Sequence, residues 1–267
     1  LKSHLDLDEI LAIAQGSKAP RSRSHPSEER KKEESLLPFG ERDRVRGNAG
    51  TSKVQIGILR DRVFNFYYPE NLEALTHKDA ELTFINSLKD RLPPVDGLYI
   101  GGGFPEFFLD ELEKNRGLRE DIASAIEDGL PVYAECAGLM YLCRSIYWQG
   151  RSHAMVGIIP AEVHISEKPE GHGYAVVEVI GENPFFPKGL TIRGHEFHHS
   201  NLSYLEGPQF AYQVKRGQGI HGKQDGIVYK NLFASYIHLH ALGTPEWADG
   251  FVSLASKEKR SNGGLPF

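Results

Sequence analysis

The sequence predicts a three-layer α/β domain over residues 53–258, with a parallel β core to which antiparallel strands are added. Two observations carry that prediction. As far as residue 145, strand-length apolar runs alternate with helical spacings, which implies parallel strands joined by crossover helices. After Trp148 the chain turns to short runs rich in β-branched and aromatic residues, separated by Gly, Pro and Asn, the texture of antiparallel strands.

Residues 1–15 read as a short helix, with Asp6 or Asp8 as cap and Ile10, Leu11 and Ile13 apolar. Residues 16–52 are polar, of mixed charge and poor in apolar side chains, so they read as a flexible linker. VQIGIL (54–59) is a buried strand, PENLEALTHK (69–78) a helix and AELTFI (80–85) a second strand. DGLYIGGG (96–103) is a strand running into three glycines. Residues 107–129 carry helical spacing in two segments and close on Gly129, a C-terminal stop. PVYAEC (131–136) is the next strand and AGLMYLCRS (137–145) the next helix. HGYAVVEVIG, LTIRGHEFHHS, FAYQVKR, DGIVY and LFASYIHL supply the later strands, PEWADGFVSLASKE (245–258) a final helix, and 259–267 a tail.

Composition narrows the function. With 31 Lys and Arg against 36 Asp and Glu the formal charge is −5, which lacks the basic footprint of a nucleic-acid binder. A hydrophobic fraction of 40% is enough to build a core. No run approaches the roughly 18 apolar residues of a membrane span, and the first residues show no apolar secretory segment. The 2 cysteines make no disulfide scaffold. The expectation is a soluble cytoplasmic protein without nucleic-acid or membrane partners. The chain opens on Leu rather than Met, as a trimmed chain or a fragment would.

The sharpest chemical feature is PVYAEC followed by AGLMYL. A buried strand stops at Cys136, small residues follow, and a helix begins, the strand–turn–helix arrangement that presents a nucleophile above the strand ends. The helix start would place partial positive charge beside the sulfur and favour a thiolate. An inert buried cysteine is the competing reading. Cys143, expected on the same helix, has no such setting and reads as core. A thiolate attacking an amide needs donors for the developing oxyanion. Gly101, Gly102 and Gly103 lie at another strand end and could offer unobstructed N–H groups, joined by that of Ala137; a turn needing positive φ is the alternative. The 12 histidines cluster in RGHEFHHS (His195, His198, His199) and SYIHLH (His238, His240), as a base for the cysteine or as ligands of a metal.

GGGFPE, AEC-GLMYL, RGHEFHHS and SYIHLH, with DRVFNFYYPENLEAL (61–75), resemble in order and content the glutaminase domain of cobyrinate a,c-diamide synthases, class I glutamine amidotransferases of the cobyric-acid-synthase-like branch. The resemblance covers about 54–255 and implies a flavodoxin-like core. It implies that Cys136 attacks glutamine, that His238 of the Y-x-H motif raises its nucleophilicity, and that the 101–103 glycines serve the oxyanion hole. It places His195, Glu196, His198 and His240 in or near the pocket without a catalytic step, and it calls for no metal in this chain. It also implies a partner. LDLDEILAIA resembles the closing helix of an ATP-dependent synthetase domain, which with ATP and Mg²⁺ would amidate a tetrapyrrole carboxylate: cobyrinate, hydrogenobyrinate, nickel sirohydrochlorin or sirohydrochlorin. No G-x-x-x-x-G-K-[ST] loop occurs in these residues.

The chain departs from the family pattern twice. Ala137 stands where E-C-G-G has glycine, so a slightly shifted elbow is expected. His240 stands where the wider class carries the glutamate of a triad, so the expectation is a Cys–His dyad with an unidentified orienting group. FNFYY (64–68) reads either as a surface for the synthetase part or as ordinary packing. The rival functions are a stand-alone Cys–His hydrolase, a degenerate docking domain and a His-rich metal site.

Overall fold

The computed structural model describes residues 53–203 and 205–262; the helix expected over 1–15, the linker over 16–52 and the end of the tail lie outside them. Along the chain, β1 (Val54–Leu59), β2 (Phe64–Phe66), α1 (Pro69–His77), β3 (Ala80–Ile85), β4 (Gly97–Ile100) and β5 (Gly102–Gly103) lead to a 3₁₀ turn (Pro105–Phe107). Then come α2 (Leu109–Lys114), α3 (Arg116–Glu127), β6 (Val132–Glu135), α4 (Ala137–Leu142), β7 (Cys143–Trp148), β8 (Arg151–Ala154) and β9 (Ile159–Ile165). The remainder is β10 (Gly171–Val179), β11 (Thr191–His198), β12 (Ser200–Ser203), β13 (Gln209–Arg216), β14 (Gln224–Tyr229), β15 (Leu232–Ser235), β16 (His238–Leu239) and α5 (Glu246–Asn262).

Strands β15, β6, β4, β1 and β3 lie side by side and parallel; the inner four are largely apolar runs covered on both faces, and β3 is the half-exposed edge. Their residues alternate between two cores. Leu98, Ile100, Val132 and Ala134 pack with Leu118, Ile122 and Ile126 of α3, while Tyr99 and Tyr133 pack with Leu75, Trp247 and Phe251 of α1 and α5. These are the three layers expected. Helix α3 starts where the Asn115 side chain accepts from the Leu118 N–H. It stops at Gly129 (φ 93°), where the Gly129 and Leu130 amides return to the Ile126 and Ala125 carbonyls.

The antiparallel half extends the same sheet to ten strands in the order β16-β11-β10-β13-β14-β15-β6-β4-β1-β3. β16 follows β15 directly in the chain yet pairs with β11, with His195 opposite His238. The sheet therefore curls until its far strand meets the continuation of β15. Gly194 makes that meeting possible, because a Cβ there would lie 2.2 Å from the His238 carbonyl oxygen.

Three expectations need correction. The helix expected over 137–145 ends at Leu142, and Cys143 opens β7 in extended conformation (φ −67°, ψ 169°). β7 pairs with β8 and β9 in a second sheet, of four strands ordered β12-β9-β7-β8, which the sequence reading did not anticipate. The final helix continues through 259–260, the expected start of the tail, to Asn262. Lys259 holds it to the domain, its Nζ donating to the Lys53 carbonyl at 2.7 Å and to Asp96 Oδ2 at 2.9 Å.

The turn after β6 has no room for a side chain at 138, where a Cβ would stand 2.3 Å from the Ile100 carbonyl oxygen. Gly138→Ala is expected to cost about 1–3 kcal/mol through forced backbone displacement, measured as a lower midpoint in denaturant unfolding.

Candidate active site

The site lies where β6 and β15 end together. Ser235 pairs with Glu135 across the parallel ladder, and the Cys136 N–H donates to the Ser235 carbonyl at 2.8 Å. Cys136 then takes φ 49° and ψ −99°, a conformation that an L residue with a Cβ adopts only under constraint. The elbow is therefore at the cysteine itself and is not shifted. The positive φ falls on 136 rather than 137, so Ala137 fits, and the glycine the turn demands is Gly138. Its N–H donates to the Gly101 carbonyl at 3.1 Å and ties the elbow to the glycine loop.

His238 is buried next to Cys136, whose sulfur helps to hold the imidazole charged. The ring nitrogen Nδ1 lies 3.4 Å from Glu135 Oε2. Burial by itself would lower the His238 pKa. The interactions with Cys136 and Glu135 outweigh that and push it up to about 10, so the imidazole is held as a cation beside the sulfur. Glu135 is the orienting group that the sequence reading left unidentified. Its carboxylate is buried and saturated with donors: the Tyr99 hydroxyl (3.0 Å) and His238 at Oε2, the Leu239 N–H (3.2 Å) and the Tyr133 hydroxyl (3.3 Å) at Oε1. The signal was present in PVYAEC, where a lone charge ends a strand that is otherwise apolar. Asn71, also missed, fixes the chain around His238: its Nδ2 donates to the Leu239 carbonyl at 3.0 Å and its Oδ1 accepts from the Ala241 N–H at 2.7 Å.

The aromatic segment FNFYY packs over these groups. Phe66 meets the His238 ring edge-on at 4.8 Å, and the Tyr68 hydroxyl lies 3.0 Å from His195 Nδ1. His195 stacks on His238 with centroids 4.9 Å apart, and desolvation together with the His238 charge lowers its pKa. Of the other expected pocket residues, His198 lines the cleft onto which Cys136 opens. Glu196 is buried and accepts from the Gln218 N–H and, at 3.0 Å, from the Gly219 N–H, which anchors the turn before β14. His198 bonds the Ser200 carbonyl through Nδ1 (2.8 Å) and stacks on Tyr236 at 3.7 Å. His240 lies outside, 3.4 Å from Glu70, with its ring against Tyr68.

The glycine loop needs one correction. The Gly101 N–H donates to the Tyr67 hydroxyl at 2.8 Å and is not free for an oxyanion. Gly102 and Gly103 form β5 against β2, and both are glycine for close approach: a Cβ at 102 would lie 2.5 Å from the His238 ring and one at 103 would overlap the Val63 carbonyl. The N–H of Ala137, at the start of α4, makes no hydrogen bond among the described residues. Cys136 faces a cleft lined by Phe104, Met140 and Phe197, and its sulfur lies 3.7 Å from the Phe197 carbonyl. Cys143 is core: fully buried, its thiol pKa pushed up by burial, its sulfur against the Leu139 carbonyl at 3.3 Å. Among the described residues, metal-type donors converge at Asp110, Glu113 and His153, where Arg151 already bridges both carboxylates, at 2.9 and 2.5 Å.

Residues 55–246 match the CobB/CobQ-like glutamine amidotransferase domain. The chain belongs to that family. It is 43% identical over 250 residues to a protein named cobyrinate a,c-diamide synthase from Magnetococcus marinus, covering 93% of this chain and 51% of that protein. To one of the same name from Archaeoglobus fulgidus it is 42% identical over 260 residues, 97% of this chain and 53% of that protein. The chain thus spans about half the length of the curated relatives it matches. Its fold is shared with PurLQS from Thermotoga maritima (TM-score 0.60, 17% identity, 78% of this chain and 100% of that one). A solved glutamine amidotransferase also shares it (TM-score 0.53, 19% identity, 75% and 98%). Within this amidotransferase domain, Glu135 stands next to the cysteine in sequence and next to the histidine in space.

Because Glu135 helps to hold His238 charged, Glu135→Gln is expected to lower the imidazole titration midpoint by about one pH unit or more from its present position near 10. The cation then exists only to a lower pH. NMR of the histidine ring protons across an alkaline titration measures it.

Proposed function

We propose that this domain hydrolyses the carboxamide of glutamine and delivers the ammonia to an ATP-dependent synthetase part, as the glutaminase of a cobyrinate a,c-diamide synthase-like ligase. One observation carries the chemistry: a cysteine at a strained strand-to-helix turn, beside a buried histidine whose Nδ1 meets a buried carboxylate.

In this reading the Cys136 thiolate, paired with the His238 cation, attacks the amide carbon of glutamine. The N–H of Ala137 and the backbone of the 102–103 segment receive the oxyanion. His238 gives its proton to the departing ammonia, which leaves a γ-glutamyl thioester on Cys136. The neutral imidazole then takes a proton from water, and the resulting attack releases glutamate and restores the thiol pair. Glu135 takes no proton; it fixes the ring orientation and stabilises the cation, the part a carboxylate plays in a catalytic triad.

The synthetase role rests on the names and lengths of the relatives. They are called cobyrinate a,c-diamide synthases, and this chain matches about half of each. ATP, Mg²⁺ and the tetrapyrrole carboxylate belong to the other part of the reading. Both cysteines are free thiols, in keeping with a reducing compartment such as the cytoplasm. A stand-alone hydrolase or a degenerate docking domain finds no specific support in the site.

Cys136→Ala is expected to abolish ammonia release from glutamine, while amidation driven by added ammonia survives once the synthetase part is supplied. A coupled glutamate assay checks the first statement, and persisting hydrolysis would refute the assignment. His238→Ala should lower turnover by about 10²–10⁴-fold. Cys143→Ala should leave it within a few-fold of the parent.

A further inference from the structure

Together with the imidazoles of His198 and His199, the cleft that opens onto Cys136 holds one carboxylate, Glu106. It lies in the 3₁₀ turn Pro105–Phe107, directly after the glycines of β5. Phe104, Met140, Ile165 and Phe197 share the cleft wall with His198, His199 and Ser200. Burial raises the pKa of Glu106, and among the described residues no salt bridge pairs it with a positive side chain. Several part-buried carboxylates of this domain are paired with a cation, Asp121 with Arg91, Glu113 with Arg151 and Asp96 with Lys259, while buried Asp225 is met by the Gly226 and Tyr236 N–H groups. A desolvated carboxylate without a cation costs stability, and it is relieved when a ligand brings the missing charge.

The geometry points to Glu106 as the subsite for the α-ammonium of the amino-acid substrate, so that selectivity for free glutamine over amides lacking that charge is set by one carboxylate in the nucleophile's own cleft. The inference rests on the glutaminase reading and adds the group that distinguishes the substrate. A molecule whose carboxamide lies at Cys136 and whose ammonium lies at Glu106 engages both of these groups in the one cleft. An N-acylated or desamino amide would leave Glu106 as it is now, unpaired. Glu106 is a binding residue here and takes part in no proton transfer.

The test uses two chloroketone analogues of glutamine, one with the α-ammonium and one without, each labelling Cys136 by displacement of chloride and read by intact mass. The parent chain should react with the ammonium-bearing reagent about ten-fold faster or more. In Glu106→Gln that preference should collapse towards one, and in Glu106→Asp part of it should return. Iodoacetamide, which carries no amino-acid group, should alkylate Cys136 at the same rate in all three, showing that the elbow is intact. A Glu106→Gln protein that keeps the parent's preference overturns the inference and leaves the glutaminase reading standing. So does a parent chain that labels equally with both reagents, whatever the variants do. A parent that reacts with iodoacetamide and with neither analogue sinks the glutaminase reading and this inference with it.

Discussion

The register between β6 and β15 is the constraint on which the rest depends. Once Ala134 is opposite Ala234 and Glu135 opposite Ser235, the two strands end side by side, and the Cys136 amide closes the ladder on the Ser235 carbonyl. From there one chain turns into α4 and the other crosses to β11, with Asp225 accepting from the Tyr236 N–H at the crossing point. Cys136 and His238 are thus placed by main-chain hydrogen bonds and not by loops. A slip of one residue would reverse every side chain in the ladder and separate the sulfur from the imidazole.

Burying Glu135 has a cost that its neighbours offset. A carboxylate out of water is unfavourable unless its lone pairs are met, and here two tyrosine hydroxyls, a backbone amide and the imidazole meet them. The same arrangement keeps His238 protonated despite its burial. In the wider class the third member follows the histidine by two positions; in this chain that position is His240, which points instead towards Glu70. The carboxylate is supplied from the strand that carries the nucleophile, so one short segment, Glu135-Cys136, provides both the group that attacks and the group that steadies its partner.

The first half of the domain was legible in the sequence because parallel strands covered on both faces are apolar runs: VQIGIL, GLYI and VYAE stand where the pattern put them, and so does the edge strand AELTFI. The elbow was legible for a similar local reason, small residues between a strand and a helix. The four-stranded second sheet was not. Its members carry alternating polar side chains, and CRSIYW follows a helix too short to show its own end, so AGLMYLCRS read as one element. Glu135 and Asn71 were missed because their roles depend on which distant groups are brought against them. The commitment of the Gly101 N–H to Tyr67 is likewise a fact of three-dimensional packing, which three glycines in a row do not reveal.

The contrast between the two sulfurs has a practical consequence. Cys136 is 6% exposed, at the wall of a cleft, whereas Cys143, the other cysteine of the chain, is sealed beneath α4 with no exposed surface. A thiol-directed dye should therefore count one equivalent per folded molecule and a second only as molecules unfold. The first equivalent titrates working elbows and the second registers lost structure, so a single colour reaction can tell an inhibited preparation from a denatured one.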